Sequence, residues 1–212
     1  MKSFVTSTAF ALLASTAMAD TITLYTSQPN ADAQRTVDAF MAANPGTEVD
    51  WVRDGTTKLM ARLRAEIEAG NPQPDVLLIA DTVTLEGMAQ EGLLTAYQSP
   101  EAGDYDATLH SAEGYYHSTK LITTGVVYNT GVETAPTSWK DLSDASIKGQ
   151  IAMPSPLYSG AALIHLATLT GDETLGWEYY ENLAANEARA QGGNGGTFKA
   201  VASGEKPYGM VV

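Results

Sequence analysis

The sequence predicts an α/β fold organised on a parallel sheet, and three observations carry that prediction. Short apolar runs alternate with segments of helical period, and each alternation closes on an Asn, Pro or Gly turn signal. The third run, Val76-Leu77-Leu78-Ile79-Ala80, is apolar throughout, as expected of a central parallel strand covered on both faces. Strand, helix, strand, helix, strand, helix in that order implies right-handed crossovers within one sheet.

Thr21 to Tyr25 reads as the first strand. Asn30 stands where a cap is needed for a helix whose apolar positions Ala33, Val37, Phe40 and Met41 share a face, and Asn44-Pro45-Gly46 stops it. Val49 and Trp51 mark a second strand. Thr56 or Thr57 opens a second helix with Leu59, Leu63 and Ile67 in line, ended by Gly70-Asn71-Pro72. Asp81-Thr82 follows the third strand and precedes a helical pattern through Val83, Leu85, Met88 and Ala89. Ligands of such sheets bind at the carboxyl ends of the strands. The segments Thr26-Ser27-Gln28, Asp54-Gly55-Thr56 and Asp81-Thr82 are therefore expected to face one cleft.

From Gln98 to Gly114 the pattern fades into a polar loop, and Ile122 to Tyr128 reads as a strand crossing into a second lobe. The chain divides accordingly into 1–19, 20–122 and 123–212. The second lobe is expected to hold a short helix around Ser138 to Leu142, a strand from Gln150 to Met153, and helices from Gly160 to Leu169 and Glu173 to Asn186. A loop, Gly192-Gly193-Asn194-Gly195-Gly196, then precedes a helix from Thr197 to Ala202 and a strand from Tyr208 to Val212. Because the sequence stops inside that apolar strand, an unpaired, aggregation-prone edge is expected there.

Composition narrows the function classes. Lys2, the apolar stretch from Phe4 to Thr16 and the triplet Ala17-Met18-Ala19 match the zones of a secretory signal peptide, with cleavage expected after Ala19. The chain has 212 residues and no cysteine, which removes disulfides, thiolate metal sites, cysteine nucleophiles and a lipidated anchor, and predicts a free periplasmic protein. The net charge of -13, one unit more negative without Lys2, disfavours nucleic acid and anionic lipid as partners. A bound anion must therefore be held by local dipoles.

The strand at Gln150 to Met153 runs into Pro154-Ser155-Pro156-Leu157-Tyr158-Ser159-Gly160-Ala161, a loop that delivers backbone N–H groups at a helix N-terminus. Ser159 is a good cap, and Gly160 lets an oxyanion approach the backbone. The alternative is a plain helix cap with no ligand. The glycine run around Asn194 reads equally as a second nest of N–H groups or as a flexible turn.

Behind the export signal come, in order, Tyr25-Thr26-Ser27, Gln90-Glu91-Gly92-Leu93-Leu94, Val126-Val127-Tyr128-Asn129-Thr130, Trp139-Lys140-Asp141-Leu142 and Lys148-Gly149-Gln150-Ile151. This ordered set resembles the periplasmic solute-binding proteins of ABC importers (extracellular solute-binding protein family 1), specifically the ferric-ion-binding group and its phosphonate- and organophosphate-binding relatives. The resemblance spans essentially the whole mature chain. It implies a two-lobe, type II periplasmic-binding-protein fold that closes on ligand at a hinge, here incomplete at the C-terminus because the return to the first lobe is missing. It also implies capture of a small anionic solute, delivery to permease subunits, a monomer when complete, and no cofactor, with ferric ion a possible cargo.

Carried over residue by residue, Ser159, Gly160 and Ala161 match the family's loop for a phosphate group or synergistic anion. Of the iron ligands only Asp81 is matched. Gln28-Pro29-Asn30 stands where ferric-binding members have a histidine, and their tyrosine pair would lie past Val212. The expected ligand-binding set is Ser27, Gln28, Thr56, Asp81, Thr82, Ser159, Gly160, Ala161 and Asn194, with Asp81 a metal ligand only if iron is carried. Helix N–H groups suit a phosphonyl group and Asp81 an ammonium, which favours a zwitterionic aminoalkylphosphonate.

The remaining candidates read as structural. Tyr115-Tyr116-His117 is an aromatic strand end, Trp177, Tyr180, Leu183 and Ala184 have core spacing, and His110 and His165 are surface or satisfied histidines. A hydrolase is disfavoured because no G-x-S-x-G, P-loop or H-E-x-x-H motif is present. A ligand sensor outside transport is the alternative of a different class.

Overall fold

The structure is a computed structural model that describes residues 20–212. The signal peptide expected over residues 1–19, with its expected cleavage, lies outside the described residues. Strands β1 (Asp20–Thr26), β2 (Thr47–Arg53) and β3 (Val76–Leu78) form an all-parallel sheet in the order β2-β1-β3. Helices α1 (Asn30–Ala43), α2 (Thr56–Glu68) and α3 (Thr82–Gln90) follow the three strands in turn. Tyr25 is fully buried on β1 and packs with Leu59, Met60 and Leu63 of α2 and with Met88 of α3. The helical spacing of Leu59 and Leu63 thus became the face that covers the sheet.

Three expectations change here. β1, and not β3, is the central strand: among the described residues β3 pairs only with β1, and its Val76 is 48% exposed. The ladder stops at Leu78 because β1 ends at Thr26, so Ile79 and Ala80 lie outside it. The cap position of α1 is Pro29, whose φ of -54° suits entry into a helix, and Asn30 is the first helical residue.

The segment between the sheets is irregular, with short 3-10 turns at Pro100–Asp104 and Ala107–Leu109. The crossing strand is shorter than expected. β4 covers Gly125–Tyr128, while Leu121 and Ile122 are exposed ahead of it. Together with β5 (Ile151–Met153), β6 (Arg189–Ala190) and β7 (Tyr208–Val211) it makes a second sheet in the order β4-β7-β5-β6. β7 pairs antiparallel with β4 and parallel with β5, so the last strand is interior. The expected unpaired edge at β7 is thereby overturned; among the described residues the edges of the first sheet are β2 and β3, and those of the second are β4 and β6.

Helices α4 (Gly160–Thr170), α5 (Gly176–Ala185) and α6 (Asn194–Ala202) pack on the second sheet. Its core holds Leu142, Ile151, Met153, Leu169, Tyr179, Leu183, Tyr208 and Met210. On α5 the buried pair is Tyr179 and Leu183, one helical turn apart, and Trp177 is exposed, which shifts the inward face from the one expected.

Candidate functional site

Four helices begin around one point between the two sheets. Their cap positions are Gly55 for α2, Asp81 for α3, Ser159 for α4 and Gly193 for α6. A helix N-terminus carries unsatisfied N–H groups and a partial positive charge. Convergence of four produces a local anion-attracting field in a chain whose net charge is -13.

The first sheet contributes side chains. Thr56 is 2% exposed and Asp81 3%, and Thr56 Oγ1, Asp81 Oδ2 and Ser27 Oγ are buried without a hydrogen-bond partner. Asp81 has divided its oxygens: Oδ1 accepts from the Thr84 N–H at 2.6 Å as the cap of α3, and Oδ2 turns toward α4. Orphaned buried polar atoms cost stability, so three gathered at strand ends mark a place kept for something other than packing.

The second sheet contributes backbone. Gly160 sits against the first sheet's side chains so closely that a Cβ there would lie 2.7 Å from both Asp81 Oδ2 and Thr56 Oγ1. Ser159 Oγ accepts from the Ala162 N–H at 3.3 Å, which caps α4 and leaves the N–H groups of Gly160 and Ala161 as its first donors. Asn194 Nδ2 donates to the same Ser159 Oγ at 3.3 Å and its Oδ1 accepts from the Val212 N–H at 3.2 Å, tying the starts of α4 and α6 to the end of β7. The glycine run is therefore not a free turn but the start of a helix. α6 starts at Asn194, three residues earlier than expected, and absorbs Gly195 and Gly196 into its first turn.

Ser27, Thr56, Asp81, Ser159, Gly160, Ala161 and Asn194 are thus brought into one neighbourhood. Gln28 lies at its rim: its carbonyl accepts from Arg53 Nε at 2.9 Å, and its side-chain oxygen accepts from Thr36 Oγ1 at 3.4 Å. Thr82 is exposed at the start of α3 and is not among the buried group.

Two residues absent from the expected set lie at the centre of the contact. Arg53, the last residue of β2, donates from Nη1 to the Tyr158 hydroxyl at 3.2 Å, and the Lys58 ammonium is 5.4 Å from the Tyr158 ring centroid. The rule that picked Ser27 and Asp81 from strand ends points equally to Arg53. Tyr158 carried no comparable signal, since only the folded chain sets its ring against another segment.

His165, one turn into α4, is buried with Nδ1 2.9 Å from the Tyr180 hydroxyl and Nε2 unpartnered. Burial lowers its pKa to about 4. Beside it, a cavity of about 10 Å³ is lined by Thr124, Met153, Pro154, Ala162, Asn194 and Met210 as well, room for about one water. His110 and His117 form an isolated antiparallel bridge with rings 5.9 Å apart, and Tyr116 donates to Glu86 at 2.8 Å. Among the described residues no three His, Cys, Asp or Glu gather where they could hold a metal ion.

Residues 25–211 match the family of bacterial extracellular solute-binding proteins. A probable ABC transporter periplasmic-binding protein, y4fP of Sinorhizobium fredii, is 28% identical over 190 residues, covering 82% of this chain and 52% of its own. A putative 2-aminoethylphosphonate-binding periplasmic protein of Salmonella typhimurium is 30% identical over 172 residues, covering 79% of this chain and 49% of its own. The chain spans about half the length of these curated relatives. Among solved structures, iron-bound HitA from Pseudomonas aeruginosa superposes with a TM-score of 0.76 at 25% identity, covering 91% of this chain and 62% of its own. The periplasmic binding protein AfuA from Actinobacillus pleuropneumoniae with bound fructose-6-phosphate superposes with a TM-score of 0.74 at 24% identity, over 91% and 63%.

Proposed function

Since the chain belongs to the bacterial extracellular solute-binding proteins, we propose that it serves as the periplasmic receptor of an ABC importer and captures a short aminoalkylphosphonate. The observation that carries this reading is the pair of orphaned polar atoms Thr56 Oγ1 and Asp81 Oδ2 held against the N-terminus of α4, with a third, Ser27 Oγ, buried just past the end of the neighbouring strand β1. The N–H groups of Gly160 and Ala161 and the two hydroxyls are donors for a phosphonyl group, and the Asp81 carboxylate accepts from an ammonium. These two demands lie within contact distance of one another, so the solute's two charges must be close together. A two-carbon linker meets that condition, and the resemblance to a relative described as 2-aminoethylphosphonate-binding supports it. The solute enters as the two sheet units part and is enclosed as they meet, a hinge closure. The family's role is binding for transport, and no step here changes a covalent bond of the solute.

The test is a thermal-shift screen followed by calorimetry with 2-aminoethylphosphonate, inorganic phosphate, a hexose phosphate and ferric citrate. A ligand present at 100 times its Kd and bound only by the folded state adds about 2.7 kcal/mol of stability. The aminoalkylphosphonate is expected to give the largest shift, with phosphate weaker for want of the ammonium. A shift from ferric citrate alone would replace the phosphonate reading with an iron one.

A further inference from the structure

From the contacts around Tyr158 we infer that this residue is the positioning element that closes the cleft and limits it to short solutes, an inference whose size limit rests on the receptor reading above. Tyr158 comes immediately before the cap of α4, yet most of what it touches belongs to the first sheet. A Cβ added to Gly55 would lie 2.4 Å from the Tyr158 carbonyl oxygen and 2.8 Å from its Cδ1 and Cδ2, so Gly55 is a seat that only glycine provides. On the opposite side a Cβ added to Gly193 would lie 3.1 Å from Cε1 of the same ring. The hydroxyl accepts from Arg53 Nη1 at 3.2 Å, Lys58 lies over the ring at 5.4 Å, and Thr57 Oγ1 donates to the neighbouring Pro156 carbonyl at 3.4 Å. One aromatic side chain therefore fills the space between the starts of α2 and α6 and is gripped by two cations from the far side.

Two consequences follow from that placement. The ring, two residues before Gly160, closes the gap between Gly55 and Gly193, so a solute whose anionic head lies on the α4 N-terminus cannot extend through that gap while the two units are closed. When they part, Arg53 and Lys58 lose their shared partner and face the entrance of the cleft, where their charge draws in an anion against the protein's overall negative field.

The chain lacks cysteine, so Ala42→Cys on α1 and Glu181→Cys on α5 can be spin-labelled without background and the distance between the sheet units measured directly. The wild-type distance distribution is expected to be narrow, Tyr158→Ala to broaden it toward longer distances, and Tyr158→Phe, which keeps the ring and loses the hydroxyl, to fall between. Identical distributions in all three would overturn the closing role whatever the solute is. Calorimetry on the same variants addresses size: Tyr158→Ala should shift preference toward a hexose phosphate over 2-aminoethylphosphonate by at least about tenfold, and an unchanged ratio would overturn the size limit. If the wild type binds neither compound, the receptor reading fails, while the distance measurement still decides the closing role.

Discussion

In the first sheet all strands run parallel and their carboxyl ends carry Ser27, Arg53 and, just past β3, Asp81. In the second, the mixed order β4-β7-β5-β6 buries an interior strand and presents the starts of α4 and α6. One unit supplies charged and hydroxyl side chains; the other supplies backbone N–H groups and glycine. The division follows from what each can bury. The second sheet packs a larger apolar cluster, reaching from Leu142 to Met210, whereas the first leaves Val76 half exposed and three polar side-chain atoms unpaired. The larger apolar cluster lies in one half, and three of the four buried unpartnered side-chain atoms lie in the other, His165 Nε2 being the fourth.

The largest effects should come from the second unit's core. Ile151 and Met210 are almost fully buried in the cluster that α5 closes against the sheet, and Ile151→Ala or Met210→Ala should each cost about 2 to 5 kcal/mol of unfolding free energy. Gly209→Ala belongs with them, since its Cβ would lie 2.8 Å from Val201 Cγ2 and 3.1 Å from the Ala152 carbonyl oxygen; overpacking of this kind costs about 1 to 3 kcal/mol. Chemical denaturation measures all three. If Leu59→Ala in the first unit proves more damaging than these, the larger cluster is not the one that dominates stability.

The next effects act on the cleft more than on the fold. Asp81→Ala removes the cap of α3, worth about 0.5 to 2 kcal/mol of stability, and the proposed ammonium acceptor, worth about 1.5 to 3 kcal/mol of binding. Titrating 2-aminoethylphosphonate and phosphate into this variant separates the two contributions, because only the first solute should lose roughly ten- to hundredfold in affinity. Equal loss for both would mean that Asp81 only shapes the cleft. Gly160→Ala should weaken both solutes, because its Cβ would press on Asp81 and Thr56 and hold the units apart.

How much of this was legible beforehand differs between the two halves in the same way. The strand-end rule located Ser27 and Asp81 because parallel sheets bind at one edge, and cap chemistry located Ser159, whose hydroxyl does bond the Ala162 N–H. Neither rule shows that Asp81 Oδ2 and Gly160 touch, since they are far apart in sequence and meet only through the packing of two sheets. β3 was misread as central because a continuous apolar run reports burial on its faces and says nothing about pairing at its edges. β7 was misread as an edge for the converse reason: its position at the chain end hid the fact that β4 and β5 both pair with it. Tyr158 escaped because an aromatic residue in a loop has no periodicity to betray its partner.

The smallest effect concerns the link between the second unit's core and the cleft, and it is read in pH. His165 lies six residues past Ser159 on α4, with Tyr180 on Nδ1, the Trp139 ring centroid 4.7 Å away and a small cavity beside it. Burial holds the ring neutral and its pKa at about 4, below the ordinary 6.5. The folded state therefore binds fewer protons than the unfolded chain between these values. The contribution of His165 to stability is fully present above about pH 6.5 and is lost as the pH falls toward about 4. Asp141 acts lower: hydrogen bonds from the Thr137 and Ser138 N–H and hydroxyl groups hold its pKa at about 2, so its contribution is lost only as the pH falls from the ordinary 3.8 through that value. Melting curves from pH 7 to 4 should accordingly fall less steeply in His165→Asn, which keeps a side-chain partner for Tyr180 and cannot titrate there. Identical slopes would mean that the buried ring is not desolvated, and that the second unit is more open beneath the cleft than its packing indicates.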